Sequence, residues 1–333
     1  MAETERLSLA DARAVIAGAF TAIGVPAATA QSVAQALVAA EAEGQVGHGF
    51  SRVADYAAQV KSGKVNAGAI PALSAPTPAA LVIDACDGFA YPALDLAHSA
   101  LIEAAGAYGT ATAAIRRSHH CGALSVQVDR IARAGFVGLM VANAPAAIAP
   151  WGAKTAVFGT NPIAFSAPRA DQPPLVIDLS LSRVARGKVM HARKSGTQIP
   201  EGWALDASGA PTTDPEAALA GTMVPIGEAK GTALALMVEI LAAVATGAHT
   251  SREMSSFFTA DGPPTGAGQF LMALKPASEW FAQRLEGLLG AIEALEGARL
   301  PGARRAAAIA VAEADGIKVS KAYLEAARAM AAG

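Results

Sequence analysis

The chain has 333 residues, 53% of them hydrophobic, 16% charged and 5% aromatic, with a formal net charge of −2. That length and apolar fraction exclude a stapled mini-protein and a disordered chain, and they predict about two domains or one large domain with an insertion. The balanced charge leaves no electrostatic footprint for nucleic acid or an anionic membrane, so neither partner is expected. Two cysteines, Cys86 and Cys121, are too few for a disulfide framework and lack the paired spacing of a zinc site.

Ser8, with Asp11 three residues on, is a capping pattern, and Leu9, Val15, Ile16 and Phe20 give the stripe of a first helix. A second helix starts at Pro26 and runs to about Glu43, where three glycines within residues 44–49 break it. A short helix over 56–60 ends at Ser62-Gly63, and 71–78 reads as a proline-punctuated connector. The texture then changes. Residues 80–84 read as a strand and 92–108 as a helix. The apolar runs 110–115, 138–143, 158–165 and 175–178 read as strands, with a helix over 122–134 between the first two. The longest apolar stretch, 232–248, carries Glu239 and is short for a membrane span, so it reads as a buried helix over 232–244. From Pro276 the tail is helical again, in pieces separated by 297–302. Residues 1–6 show no basic stretch leading into an apolar core, and a cytoplasmic protein is expected.

Of six histidines, His98, His191 and His249 have no neighbours that suggest chemistry. His48 sits between Gly47 and Gly49, and Arg52 follows four residues later. An imidazole beside a guanidinium suits an anionic substrate, the arginine forking a carboxylate while the histidine exchanges a proton. Residues 118–122, Ser-His-His-Cys-Gly, lie between a predicted strand and a predicted helix, where a helix start can admit a phosphate. Adjacent histidines seldom converge on one ion, so no metal is expected there. The usual dinucleotide fingerprint is missing: Gly266 and Gly268 are followed by Leu271 where a third glycine belongs, and no phosphate loop occurs.

Several motifs together carry a resemblance. They are Gly47-His48-Gly49 with Arg52, Ser118-His119-His120, Pro150-Trp151-Gly152-Ala153-Lys154, and Phe158-Gly159-Thr160-Asn161-Pro162. Ile177-Asp178-Leu179-Ser180, Ala185-Arg186-Gly187-Lys188, Ile199-Pro200-Glu201-Gly202-Trp203, Lys230-Gly231 and Pro301-Gly302 with Arg304-Arg305 follow in order. The sequence resembles the malate/L-lactate dehydrogenase-like oxidoreductases, which are unrelated to the Rossmann-type enzymes of similar name.

The resemblance implies an α/β, non-Rossmann NAD(P)H-binding fold with a largely antiparallel central sheet and helical N- and C-terminal regions. It implies an N-terminal helical region over 1–75, a cofactor and substrate domain over 76–260, and a C-terminal helical region over 261–333. His48 matches the proton donor, Arg52 the substrate-carboxylate arginine and Thr160 a substrate contact. His120, Cys121, Gly122, Ala123, Asp178, Leu179, Ser180, Lys230, Gly231, Arg299, Arg304 and Arg305 match cofactor contacts. Arginines at the last three positions favour NADPH, with NADH as the alternative. A homodimer acting on a small molecule is implied.

The family usually places a serine before the active-site histidine, and here that position is Gly47. The pair His119-His120 resembles the branch that reduces Δ1-piperideine-2-carboxylate and Δ1-pyrroline-2-carboxylate to L-pipecolate and L-proline. Ala185-Arg186-Gly187-Lys188 resembles the branches acting on malate, lactate or sulfolactate. The imine is the expected substrate, the hydroxy acids the alternative, and a non-catalytic ligand-binding relative a second alternative.

Overall fold

The computed structural model describes residues 3–332. Strand β1 (Thr4–Leu7) leads into α1 (Leu9–Ala22), whose first turn is capped by Ser8, its hydroxyl accepting from Asp11 N at 3.0 Å. α2 (Ala27–Ala42) follows Pro26, which takes the capping position itself, and α3 (Val53–Lys61) follows two 3-10 turns at Val46–His48 and Phe50–Arg52. The expected connector over 71–78 is instead a strand, β2 (Ala72–Thr77). It is fully exposed at the sheet edge, and Pro76 falls where its register with β3 shifts, between Ser74 and Thr77, a place a proline can occupy.

β3 (Ala80–Asp84), α4 (Ala90–Tyr108) and β4 (Thr110–Ser118) form a parallel crossover, followed by α5 (Leu124–Arg133) and β5 (Val137–Ala142). The run expected as one strand over 158–165 divides. Only β6 (Ile163–Ala167) is strand, because Asn161 adopts φ 38° and turns the chain, while Phe158 bridges separately to Ile148. β7 (Leu175–Leu179) and a helix not expected from the sequence, α6 (Arg186–Lys194), come next. A small sheet of β8 (Ala204–Leu205), β9 (Pro211–Thr212) and β10 (Thr222–Met223) packs around α7 (Pro215–Ala220).

The long apolar helix is α8 (Ala229–Glu239), running into a π-helical segment at Ile240–Val244. Among the described residues no helix is long and apolar enough to cross a membrane. β11 (Ala267–Leu274), α9 (Phe281–Glu293), α10 (Ala303–Asp315), β12 (Ile317–Ser320) and α11 (Lys321–Ala331) complete the chain, and β12 pairs with β1.

The main sheet has seven strands in the order β2-β3-β4-β11-β5-β6-β7, and every neighbouring pair except β3–β4 is antiparallel. The sequence pattern predicts no element at its middle strand, β11. The glycines that invited a fingerprint are there for packing: a Cβ on Gly268 would lie 1.7 Å from Ala242 O, so only glycine lets the π-helical segment rest on the strand. Leu271, which broke the fingerprint, is wholly buried in the core.

Candidate active site

The 3-10 turns after α2 carry His48 and Arg52, and a buried carboxyl fixes them. Glu41 accepts from Phe50 N at 2.9 Å, and a Cβ on Gly49 would fall 1.9 Å from its Oε2. Burial lifts the Glu41 pKa to about 7. Arg52 donates from Nε to Gly47 O at 2.7 Å and lies over the Phe258 ring at 4.6 Å. Its nearest carboxylate oxygen, on Asp55, is 3.7 Å away, too long for a hydrogen bond, so the side chain, 11% exposed, keeps fork donors for a ligand.

The segment leaving β4 brings His120 against His48, ring centroids 5.3 Å apart and planes inclined 16°. Tyr56 Oη lies 2.6 Å from His120 Nδ1 and 3.1 Å from Tyr91 Oη. Burial first, then the Arg52 charge, lowers the His48 pKa to about 4; burial, then the charges of Arg52 and the neighbouring histidines, lowers that of His120 well below its ordinary value. Both rings are therefore neutral at pH 7 when no anion offsets Arg52. His48 Nδ1 is buried and has no partner in the protein among the described residues.

Phe257 packs edge-on against His119 and tilted against His120, with centroids 5.9 Å and 4.9 Å away. Lys64 and Gln59 hold its loop, Lys64 Nζ donating to Ser256 O, Thr259 O and Asp261 O, and Gln59 Nε2 donating to Phe257 O and Thr259 O. Tyr56, Tyr91, Phe257, Phe258 and Lys64 were not singled out from the sequence. Aromatics at helical spacing read as core, and their partners are distant in the chain.

The candidate cofactor residues divide into groups. Cys121, Gly122 and Ala123 are buried and lead into α5, where Ser125 N donates to Asp178 Oδ2 at 2.9 Å. Ser125 Oγ also reaches Glu43, whose carboxylate pairs with Arg305 Nε at 3.2 Å. Arg305 thus joins Asp178 and the start of α5, but its charge is already matched. Arg299 and Arg304 are exposed, with no carboxylate partner among the described residues. Leu179 is exposed, and Ser180 Oγ lies 3.2 Å from Ser182 Oγ.

Thr160 sits on the turn above a buried knot in which Glu239 accepts from Asn161 Nδ2, Ser251 Oγ and Ser251 N. Thr160 O accepts from Leu181 N, and Leu181 O from Ile226 N, which ties Thr160 to the stretch ahead of exposed Lys230 and buried Gly231. No hydrogen bond joins this last group to His48 or Arg52 among the described residues.

His98 is buried against Gln127, and His249 Nδ1 faces Thr265 O. The side chain of His191 lies outside the described residues.

The architecture is that of a dehydrogenase fold other than Rossmann. It superposes on Δ1-piperideine-2-carboxylate reductase from Pseudomonas syringae pv. tomato with a TM-score of 0.93 at 38% identity, over 98% of this chain and all of that one. A sequence model of the malate/L-lactate dehydrogenase family matches residues 7–327. The chain is 48% identical to the (2R)-3-sulfolactate dehydrogenase (NADP(+)) of Chromohalobacter salexigens, over 90% of both chains. It is 39% identical to a Δ1-pyrroline-2-carboxylate/Δ1-piperideine-2-carboxylate reductase of Pseudomonas syringae pv. tomato, over 92% of this chain and 90% of that one. The chain belongs to the malate/L-lactate dehydrogenase family and is an oxidoreductase.

Proposed function

We propose that this oxidoreductase uses NADPH to reduce a small 2-oxo acid carrying a second anionic group, yielding a 2-hydroxy acid of the 3-sulfolactate kind. The observation that carries the reading is the half-buried fork of Arg52 beside two stacked imidazoles. Arg52 holds the carboxylate, and the pair His48–His120 holds one proton for the oxygen at C2. Binding a carboxylate at Arg52 offsets the charge that depresses both histidines, so the proton becomes easier to hold once substrate is in place. Phe257 packs against the His120 ring and Phe258 beneath the Arg52 guanidinium.

A second anionic group on the substrate calls for a second cation. Arg186 is half-buried, has no acidic partner among the described residues, and lies five residues beyond Leu181, which is bonded to Thr160. The 48% identity to a sulfolactate dehydrogenase points the same way. The cyclic imines placed first by the sequence remain the second reading, favoured by the pair His119-His120 and by the piperideine carboxylate reductase likeness.

The residues fit a nicotinamide dinucleotide. Among the described residues His48 Nδ1 is a buried position without a partner, Asp178 stands at the start of α5, and Arg299 and Arg304 are exposed cations with no carboxylate partner. When bound, the cofactor supplies the hydride. Arg304 and Arg299 are the proposed contacts for a ribose phosphate, with Arg305 behind them on Glu43. A homodimer is supported by the apolar stripe Leu236, Met237, Ile240 and Val244, exposed along α8 and its π-helical end. Sedimentation showing a monomer at micromolar concentration would remove that proposal.

Consumption of NADPH with a panel of acids tests the function. The expected order is 3-sulfopyruvate ahead of Δ1-piperideine-2-carboxylate by about tenfold or more in kcat/KM. The reverse order makes the imine the substrate, and no consumption despite NADPH binding makes the chain a non-catalytic relative.

A further inference from the structure

Two tyrosines with no part in the chemistry above stand behind the imidazole pair. Tyr56 is wholly buried and Tyr91 only 2% exposed. The Tyr56 hydroxyl bridges His120 Nδ1 at 2.6 Å and the Tyr91 hydroxyl at 3.1 Å. Tyr91, on the first turn of α4, also lines a cleft of about 360 Å³ between α1, α2, α4, α5 and α10.

A phenol has one proton to donate and lone pairs to accept with. This chain therefore has two complete arrangements. In one, Tyr91 donates to Tyr56, Tyr56 donates to Nδ1, and His120 carries its proton on Nε2. In the other, Nδ1–H donates to Tyr56, Tyr56 donates to Tyr91, and Nε2 is bare. The two differ by one proton passed along the row. His120 Nε2 makes no hydrogen bond to the protein among the described residues and is the free end of the half-buried ring stacked on His48.

The geometry points to a proton wire, running from the cleft through Tyr91 and Tyr56 to His120, that reloads the imidazole pair during reduction. The inference rests on the reductase reading above. Reduction takes one hydride, from NADPH, and one proton. As the pair gives the proton held on His120 Nε2 to the heteroatom at C2, Nδ1 takes the Tyr56 proton, Tyr56 takes that of Tyr91, and Tyr91 takes one from cleft water. Oxidation runs the same transfers backwards. Burial raises both phenols above their ordinary pKa, so no tyrosinate accumulates and the transfers move together.

Arg52, Asp55, His119 and Cys121 are the charged or titratable groups around the site end. Glu43, Asp95, Asp129 and Glu313 line the cleft, with Arg13, Arg130 and Arg133, and their carboxylates give an arriving proton a place to rest. Asp95 accepts from Arg130 at 2.8 Å and from the Ser32 hydroxyl at 2.5 Å.

Two measurements test the wire. In the enzyme without substrate, nitrogen-15 NMR of labelled histidine should show His120 protonated on Nε2, with an Nδ1 signal shifted by accepting a hydrogen bond. Tyr56→Phe should abolish that shift. In turnover, Tyr56→Phe and Tyr91→Phe should each lower kcat by about tenfold or more, while KM and NADPH affinity stay within about twofold. An His120 Nδ1 signal that is free in the wild type, or the same in Tyr56→Phe, overturns the wire whether or not the variants fold well. So does unchanged kcat in folded Tyr56→Phe and Tyr91→Phe. A wild type that consumes no NADPH with any acid removes the reductase reading instead, and the NMR result then decides the hydrogen-bonded row alone.

Discussion

His48 and His120 stack face to face, 5.3 Å between centroids and 16° between planes. With Gly47 ahead of His48, no hydroxyl from that position steers the ring. Instead His120 steers it, and Tyr56 in turn holds His120. Two imidazoles beside one guanidinium, sharing a desolvated site, are both held neutral before substrate binds.

Removing either ring should therefore cost the same function. His48→Ala and His120→Ala should each lose about 10²–10⁴-fold in kcat, the usual worth of general acid catalysis, while still binding NADPH. The double variant should be little worse than either single one, because the two act as a unit. Multiplying losses in the double variant would mean two independent roles.

The late arginines should separate into a structural and a cofactor-binding kind. Arg305, 17% exposed at its side chain, is the cation beside Glu43, itself 6% exposed. Arg305→Ala leaves that carboxylate buried and unpaired, so it should lower the melting temperature by several degrees. Arg304→Ala should leave the melting temperature unchanged and weaken NADPH by about 10- to 150-fold with NADH nearly unaffected, the worth of one charged hydrogen bond. Equal effects on both cofactors would reduce the segment to a solvated basic turn.

Lys64, though cationic, is 1% exposed and spends its ammonium on three carbonyls of residues 256, 259 and 261. Lys64→Met keeps the volume and orphans those acceptors, each at about 1–3 kcal/mol. The expected outcome is faster amide exchange over 256–261 and a raised KM, since Phe257 and Phe258 ride on that loop. Wild-type exchange rates would show the loop to be held by other contacts.

Stability should fall on acidification. Burial lowers the pKa of both His98 and His119 to about 3, whereas an unfolded histidine takes its proton near 6.5. Between those values the unfolded chain binds more protons, so this stability is complete above pH 6.5 and is lost as pH falls. The slope is about 1.4 kcal/mol per pH unit for each group. Glu41, raised to about 7, works oppositely, as do Glu43 and Asp178, both raised by burial, while His48 and His120, both lowered, act with His98 and His119. His98→Asn should make the slope shallower by one group's share in urea titrations at pH 7 and 5. An unchanged slope would show that His98 is not held neutral.

What the sequence disclosed follows from the range of each signal. Ser8 and Asp11 announced α1, and the short apolar run 80–83 announced β3, because both cues lie within a few residues of what they specify. β11 went unread because its glycine, Gly268, answers to Ala242 in another element, a demand with no local trace. The strand over 158–165 failed at Asn161, whose left-handed turn is set by Glu239, 78 residues away. The site divides likewise. His48 and Arg52 are legible as neighbours four residues apart. Tyr56 meets His120 across 64 residues and passes for core on its own helix.

The most direct test of the account is NADPH consumption with limiting 3-sulfopyruvate, wild type and Arg52→Ala side by side. Losing the fork should cost about two charged hydrogen bonds, roughly 3 kcal/mol or more, so kcat/KM should fall at least about 100-fold while NADPH still binds. Equal rates in the two proteins would contradict the account, for the carboxylate would then be held by something other than Arg52.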